Sequence, residues 1–318
     1  MKNTIVESMR GEVLRIIEHA HQLISAGNVA AGMELLMASL NDTRSRGLRN
    51  MADVMSHEDV VEHPLSSLIH KDPLTWHAFS RPRGYPGDAL LLDHIYRIVE
   101  PESVDDVARA INRYCVETGA CRSVRARRAI LATLIDFVAD RVHMPRIVSI
   151  ACGHLREAAL SRAVAEGRVG ELIAVDQDEE SLTEVAASYP GSVIRPCTAS
   201  VRHIISGRVT FSGMDLVYAA GLYDYLELPV ARRLTIRMFD MLRPGGRLLV
   251  ANFAPNLREI GYMETFMDWH LIYRDEVGME EVAAEIDRSR IARMEIFRDG
   301  PGNLVFLEIV KAESIASF

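Results

Sequence analysis

The chain has 318 residues, of which 48% are hydrophobic and 25% charged, and its formal net charge is −8. Such composition is that of a globular protein, and the length allows a main domain with an added segment. The acidic balance and scattered basic residues count against duplex nucleic acid and anionic membranes as partners, and no apolar run approaches the roughly 18 residues that span a bilayer.

Glu7, Arg10, Glu12, Arg15 and Glu18 interrupt every apolar run near the N-terminus, which is unlike a secretory signal. Cys115, Cys121, Cys152 and Cys197 form no CxxC pair. They read as reduced thiols of a cytoplasmic protein. Val13, Ile16, Ile17, Ala20, Leu23 and Ile24 recur at helical spacing and predict a helix that stops at Gly27-Asn28. A second helix is expected over about 29–40. Residues 41–63 are polar and mixed, and no period emerges there. The stretch SRPRGYPGDA (80–89) holds two prolines and two glycines and reads as a loop. Two further helices are expected over about 103–118 and 122–141. The Arg122, Arg125, Arg127 and Arg128 cluster on the second of them reads as a solvated face.

After Pro145 the pattern changes. Strands are expected at 147–151, 172–175, 192–195, 215–219 and 247–251, with helices at 155–167, 179–188, 200–206 and 229–242. Such alternation predicts an α/β fold, a parallel sheet with right-handed crossovers. Two last strands, 292–298 and 304–310, flank Asp299-Gly300-Pro301-Gly302 and read as an antiparallel hairpin. The expected division is therefore a helical segment over 1–145 and a sheet domain over 146–318.

Ligands of such sheets bind beyond the carboxyl ends of the strands. After the first strand stands ACGHLREAAL (151–160), where Ala151, Cys152 and Gly153 are small and Gly153 permits a tight turn. Glu157 is expected in the first turn of the next helix. After the second strand comes AVDQDEESL (174–182). Asp176, with Gln177 beside it, stands where an acid accepts hydrogen bonds from ribose hydroxyls; the alternative is a helix N-cap. Thr198, Ala199, Ser200 and Val201 follow the third strand, with Ser200 also a candidate cap. After the fourth come Ala219, Ala220 and Gly221, then Tyr223 and Tyr225. The Pro-Gly-Gly of LRPGGRLLVANFAP (242–255) before the fifth strand is the most specific single mark.

Together these residues resemble the class I S-adenosylmethionine-dependent methyltransferases over about 146–311. GYPGDALLLDHIY (84–96), SIACGHLRE (149–157), AAGLYDYL (219–226) and GYMETFMDWHLIYR (261–274) also resemble a narrower bacterial family. That family includes the enzymes that make 3-hydroxy fatty acid methyl ester signals. The glycine-poor first turn departs from the usual class I pattern but fits the narrower one. The resemblance implies S-adenosylmethionine as cofactor, a small-molecule acceptor and a helical segment that acts as lid or substrate-binding part. Glu157 would then meet the cofactor's ammonium, Ala199 and Ser200 the adenine, Ala220 and Gly221 the sulfonium region, and Tyr85 the cofactor as well.

Candidates for the acceptor site lie in two loops. Arg83, Tyr85 and Asp88 belong to the first; Trp269, His270, Tyr273 and Arg274 to the second, with Asn252 and Tyr225 added from the strand ends. Arginine matches a carboxylate by a two-point hydrogen bond, so Arg274 and Arg83 suit an acid, with Tyr223 or Tyr85 close to the methyl. His270 is the candidate base for an amine. Glu264 and Asp268 would suit a guanidine or amine acceptor, which makes an N-methyltransferase the alternative. No metal site is expected: in HEDVVEH (57–63) Val61 stands where HExxH needs its second histidine. Two other readings remain: a nicotinamide dehydrogenase, opposed by the missing GxGxxG, and a non-catalytic sensor or partner subunit. The oligomeric state is left open, a homodimer included.

Overall fold

The computed structural model describes residues 2–98 and 105–313. The helices of the first half are α1 (Lys2–Ser25), α2 (Val29–Ser45), α3 (His57–Val61), α4 (Pro64–Ile69), α5 (Pro73–Ser80), α6 (Ala89–Ile95), α7 (Asp106–Val116) and α8 (Gly119–Ala139). Residues 103 and 104, where the expected third helix begins, lie outside the described residues. Next come β1 (Arg146–Ile150), α9 (Arg162–Ala165), β2 (Glu171–Asp176), α10 (Glu179–Ser188), β3 (Ile194–Thr198), α11 (Val201–Ile205) and β4 (Met214–Ala219). The chain ends through α12 (Leu228–Met241), β5 (Leu242–Phe253), α13 (Ile260–Phe266), α14 (Glu276–Val282), β6 (Ile291–Arg298) and β7 (Leu304–Lys311).

The described residues fall into two compact units, one within Met1–Arg125 and Asn256–His270, the other within Ala126–Pro255 and Leu271–Phe318. The change of sequence character at Pro145 and this division are different things. Compactness divides the chain inside α8, and it takes the α13 segment into the helical unit. The reason is packing: a Cβ on Gly261 would lie 2.5 Å from the Leu40 backbone carbon, so only glycine lets α13 lie against α2 this closely.

In the helical unit, short elements start at local caps. Asp72 accepts from the backbone N–H of Leu74 and Thr75 before Pro73 of α5, and Ser56 closes a capping box on α3. Asp88 caps α6 by accepting from the Leu91 N–H at 2.9 Å and also takes the His77 ring nitrogen at 2.8 Å. A buried carboxylate so engaged is a structural residue, which corrects its expected place among the acceptor ligands.

The second unit is built on a seven-stranded sheet of order β3-β2-β1-β4-β5-β7-β6. Strands β1 to β5 are parallel, and β7 is antiparallel to both neighbours. This is the Rossmann-like sheet with a terminal hairpin that the alternation predicts. Its core includes Val148, Ile150, Val175, Val217, Ala219, Leu248 and Val250, which pack with Met238 and Phe239 of α12. The strand order reverses between β1 and β4, and this is the place where such sheets open a crevice at their carboxyl edge.

The expected helix at 155–167 is not formed. A 3-10 turn, Ala158–Leu160, and the four-residue α9 replace it. Asp136 of α8 is the cause. Its carboxylate accepts from the Ser161 hydroxyl at 2.7 Å and the Ala163 N–H at 2.8 Å, so a new helix starts at Ser161. Glu157 therefore lies in an irregular loop and not in a helical first turn.

Candidate functional site

The turn after β1 is built from left-handed backbone. Ala151, Gly153 and Leu155 have φ of 53°, 53° and 52°. For alanine and leucine this costs about 1–2 kcal/mol each, and such strain gathers at functional sites. Backbone bonds hold the turn: the Cys152 N–H donates to Val175 O at 3.1 Å and the Leu155 N–H to Cys152 O at 3.0 Å. Asp176 completes it. Its Oδ2 accepts from the Gly153 N–H at 2.8 Å and its Oδ1 from the Asp178 N–H at 3.0 Å. The carboxylate is buried, and burial pushes its pKa up while the backbone N–H groups pull it down. Ala151 and Gln177 are exposed, and Cys152 and Gly153 are half-buried. Burial pushes the Cys152 thiol up, which makes it a poor nucleophile.

Glu157 is buried, and its Oε1 accepts from the Tyr218 hydroxyl of β4 at 2.8 Å. Burial raises the pKa of both groups. Ser200 caps α11 by accepting from the His203 N–H, and Ala199 beside it is buried. The cap alternative for Ser200 is thus realised.

The loop after β4 is held by side chains. Arg274 Nη1 donates to Tyr223 O at 2.8 Å and to Asn252 Oδ1 at 2.7 Å, and Nη2 donates to Leu226 O. Asn252 Nδ2 donates to Ile272 O at 2.8 Å and Phe253 O at 3.0 Å. Asp224 Oδ1 accepts from the Phe253 N–H at 2.6 Å. Burial pushes Asp224 up to about 6, although Phe253, Arg127 and Arg274 pull the other way. Burial lowers the pKa of Arg274.

These bonds correct three expectations. The Arg274 guanidinium is committed to two backbone carbonyls and an amide and does not offer its fork to an acceptor. Asn252 is fully buried in the same network. Tyr223 is fully buried, and its hydroxyl meets Thr235 Oγ1 of α12 at 2.8 Å. Burial raises its pKa, and it faces the core and not a reacting methyl. Tyr225 of the same loop is exposed, Ala220 and Gly221 are half-buried, and Tyr273 is half-buried.

In the helical unit Arg83, Tyr85 and Trp269 are half-buried, and His270 is exposed with its ring nitrogen 3.0 Å from Asp268 Oδ1. Asp268 also pairs with Arg81. Glu264 accepts from Arg44 Nε at 2.9 Å and from the Met51 N–H at 2.7 Å. Among the described residues no group of three or more His, Cys, Asp and Glu is placed to hold a metal ion, and no helix is long and apolar enough to cross a membrane.

Sequence reasoning missed Asp224, Tyr218 and Arg127. The last was read as part of a solvated face, yet it is only 5% exposed. Its Nη1 donates to Ala220 O at 2.6 Å.

No family model matches the chain, and no curated protein does. Solved structures do. The fold matches a possible exported protein from Bordetella parapertussis at 16% identity and a TM-score of 0.59, over 75% of this chain and 86% of that one. Magnesium protoporphyrin IX methyltransferase from Synechocystis PCC 6803 gives 13% identity and 0.47 over 69% and 94%. N-methyltransferase NodS from Bradyrhizobium japonicum WM9 gives 14% and 0.42 over 59% and 97%. At 16% identity the first of these likenesses is one of fold alone.

Proposed function

We propose that the chain is an S-adenosylmethionine-dependent methyltransferase that methylates the carboxylate of a small organic acid, such as a hydroxy fatty acid. The observation that carries the cofactor reading is the Asp176 carboxylate at the tip of β2, oriented by the Gly153 and Asp178 N–H groups. An ionised carboxylate has about four lone-pair sites. The Gly153 and Asp178 N–H groups take two of them, and in this reading the ribose hydroxyls take what the backbone leaves. The left-handed turn at Ala151 to Leu155 brings backbone close to the same edge, Ala199 and Ser200 would edge the adenine, and Glu157 would meet the ammonium. When bound, S-adenosylmethionine supplies a methyl group already activated on a sulfonium. The chain's own residues position the acceptor and exclude water, and good positioning is worth about 7–11 kcal/mol. A carboxylate acceptor needs no base.

The acid acceptor is supported by the state of the two acids that a cationic acceptor would need. Glu264 is paired with Arg44, and Asp268 with Arg81. With Arg274 bonded to Tyr223 O, Leu226 O and Asn252, Arg83, Tyr85 and Trp269 remain as acceptor candidates. The test is incubation with deuteromethyl-labelled cofactor and 3-hydroxy fatty acids, read by mass spectrometry. A labelled product cleaved by mild base, as a methyl ester is, supports the reading. A base-stable product would move the methyl to nitrogen, and no label transfer to any acid or amine metabolite would favour a sensor.

A further inference from the structure

The observation that stands apart is Arg127 of α8. A guanidinium this far from water carries a desolvation cost that proteins usually offset with a carboxylate. Here no carboxylate lies within ion-pair distance among the described residues, and the one hydrogen bond of the side chain goes to Ala220 O, directly after β4. The neighbouring acids are committed elsewhere, Glu157 to the Tyr218 hydroxyl and Asp224 to the Phe253 N–H. Both feel the charge of Arg127, which lowers their pKa against the larger effect of burial. Next to the guanidinium stands Gly221. A Cβ there would meet Arg127 Nη2 at 3.5 Å, an ordinary contact, and the residue is not left-handed, so the protein's own packing does not demand glycine. The atoms nearest to that added Cβ all belong to the guanidinium itself.

We propose that Arg127 is a binding residue for a ligand carboxylate at the switch between β1 and β4. The inference rests on the methyltransferase reading and deepens it. A planar fork with N–H groups to spare matches a carboxylate by two parallel hydrogen bonds. Two sources carry that group: the amino-acid end of the cofactor and the acid acceptor. In the first case Arg127 and Glu157 form a matched pair, the cation for the carboxylate and the acid for the ammonium.

The experiment compares S-adenosylhomocysteine, which has the amino-acid end, with 5′-methylthioadenosine, which lacks it, by calorimetry on the full chain. If the carboxylate is the cofactor's, R127M weakens S-adenosylhomocysteine by roughly thirtyfold or more and leaves methylthioadenosine within about twofold. If it is the acceptor's, both nucleosides are unaffected, and the affinity of the S-adenosylhomocysteine-loaded protein for 3-hydroxydecanoate falls by a similar factor. R127K keeps the charge but loses the fork, so it shows the same selectivity with a smaller loss, and it decides the matter if R127M does not fold. An equal loss for both nucleosides means that Arg127 only holds the Ala220 loop, and no change for any of the three probes overturns the proposal as well. Failure of the wild type to bind either nucleoside overturns the methyltransferase reading and this role with it.

Discussion

After β1 the backbone itself is strained, with left-handed Ala151, Gly153 and Leu155 held by main-chain bonds and the single carboxylate of Asp176. After β4 side chains do the holding: Arg274, Asn252, Asp224 and Arg127 tie residues 220–226 to β5, α8 and the segment at 272–274. Both loops leave the same edge of the sheet. The difference shows which polar atoms remain for a ligand. The first turn leaves lone pairs of Asp176, whereas in the second most polar atoms are already used. Tyr223, Asn252 and Arg274, chosen from sequence for chemistry, spend their polar atoms on the fold here.

The largest expected effect breaks the second loop. Arg274→Ala leaves Tyr223 O, Leu226 O and Asn252 Oδ1 without their donor in a buried place. At about 1–3 kcal/mol for each buried polar group left unsatisfied, the loss in urea unfolding should be about 3 kcal/mol or more. Unchanged stability with lost turnover would return Arg274 to the acceptor site.

Asp224 gives a smaller and pH-dependent effect. Its carboxyl is near its ordinary value when unfolded and about 6 when folded, so the folded state binds the extra proton between about pH 4 and 6. Its contribution to stability is greatest below pH 4, falls as pH rises through that window and is flat above. Asp224→Asn keeps an acceptor for the Phe253 N–H and removes the titration. Relative to wild type, the variant should gain about 2–3 kcal/mol between pH 4 and 7. A difference independent of pH would show that Asp224 titrates normally.

Smallest is the change that relaxes the first turn. Ala151→Gly removes the left-handed penalty but loosens the unfolded chain, so the net gain should be about 1 kcal/mol or less, read as a small rise in Tm. A clear fall would mean that the Ala151 methyl packs against something essential.

The sheet was legible because the apolar period changes at Pro145 and each strand is followed by small or acidic residues. The β1 turn was legible in Gly153 and Asp176, but the failure of a helix at 155–167 was not. Its composition is helical, and the override comes from Asp136, far away in sequence. The short helices α3 to α6 have five to eight residues and show no period. Their caps were the available signal, above all Asp72-Pro73 and His63-Pro64. Arg127 could not be told from Arg122 or Arg128 on an amphipathic helix, because periodicity does not say where a long side chain ends.

In the proposed function, the lone pairs left on Asp176 receive the ribose of S-adenosylmethionine. Calorimetric titration of the wild type and Asp176→Ala with S-adenosylhomocysteine and NAD tests it. S-adenosylhomocysteine should bind and NAD should not. The variant should lose roughly tenfold in affinity, as two hydrogen bonds at about 0.5–1.5 kcal/mol each require. Tighter binding of NAD, or an unchanged affinity in the variant, would contradict it.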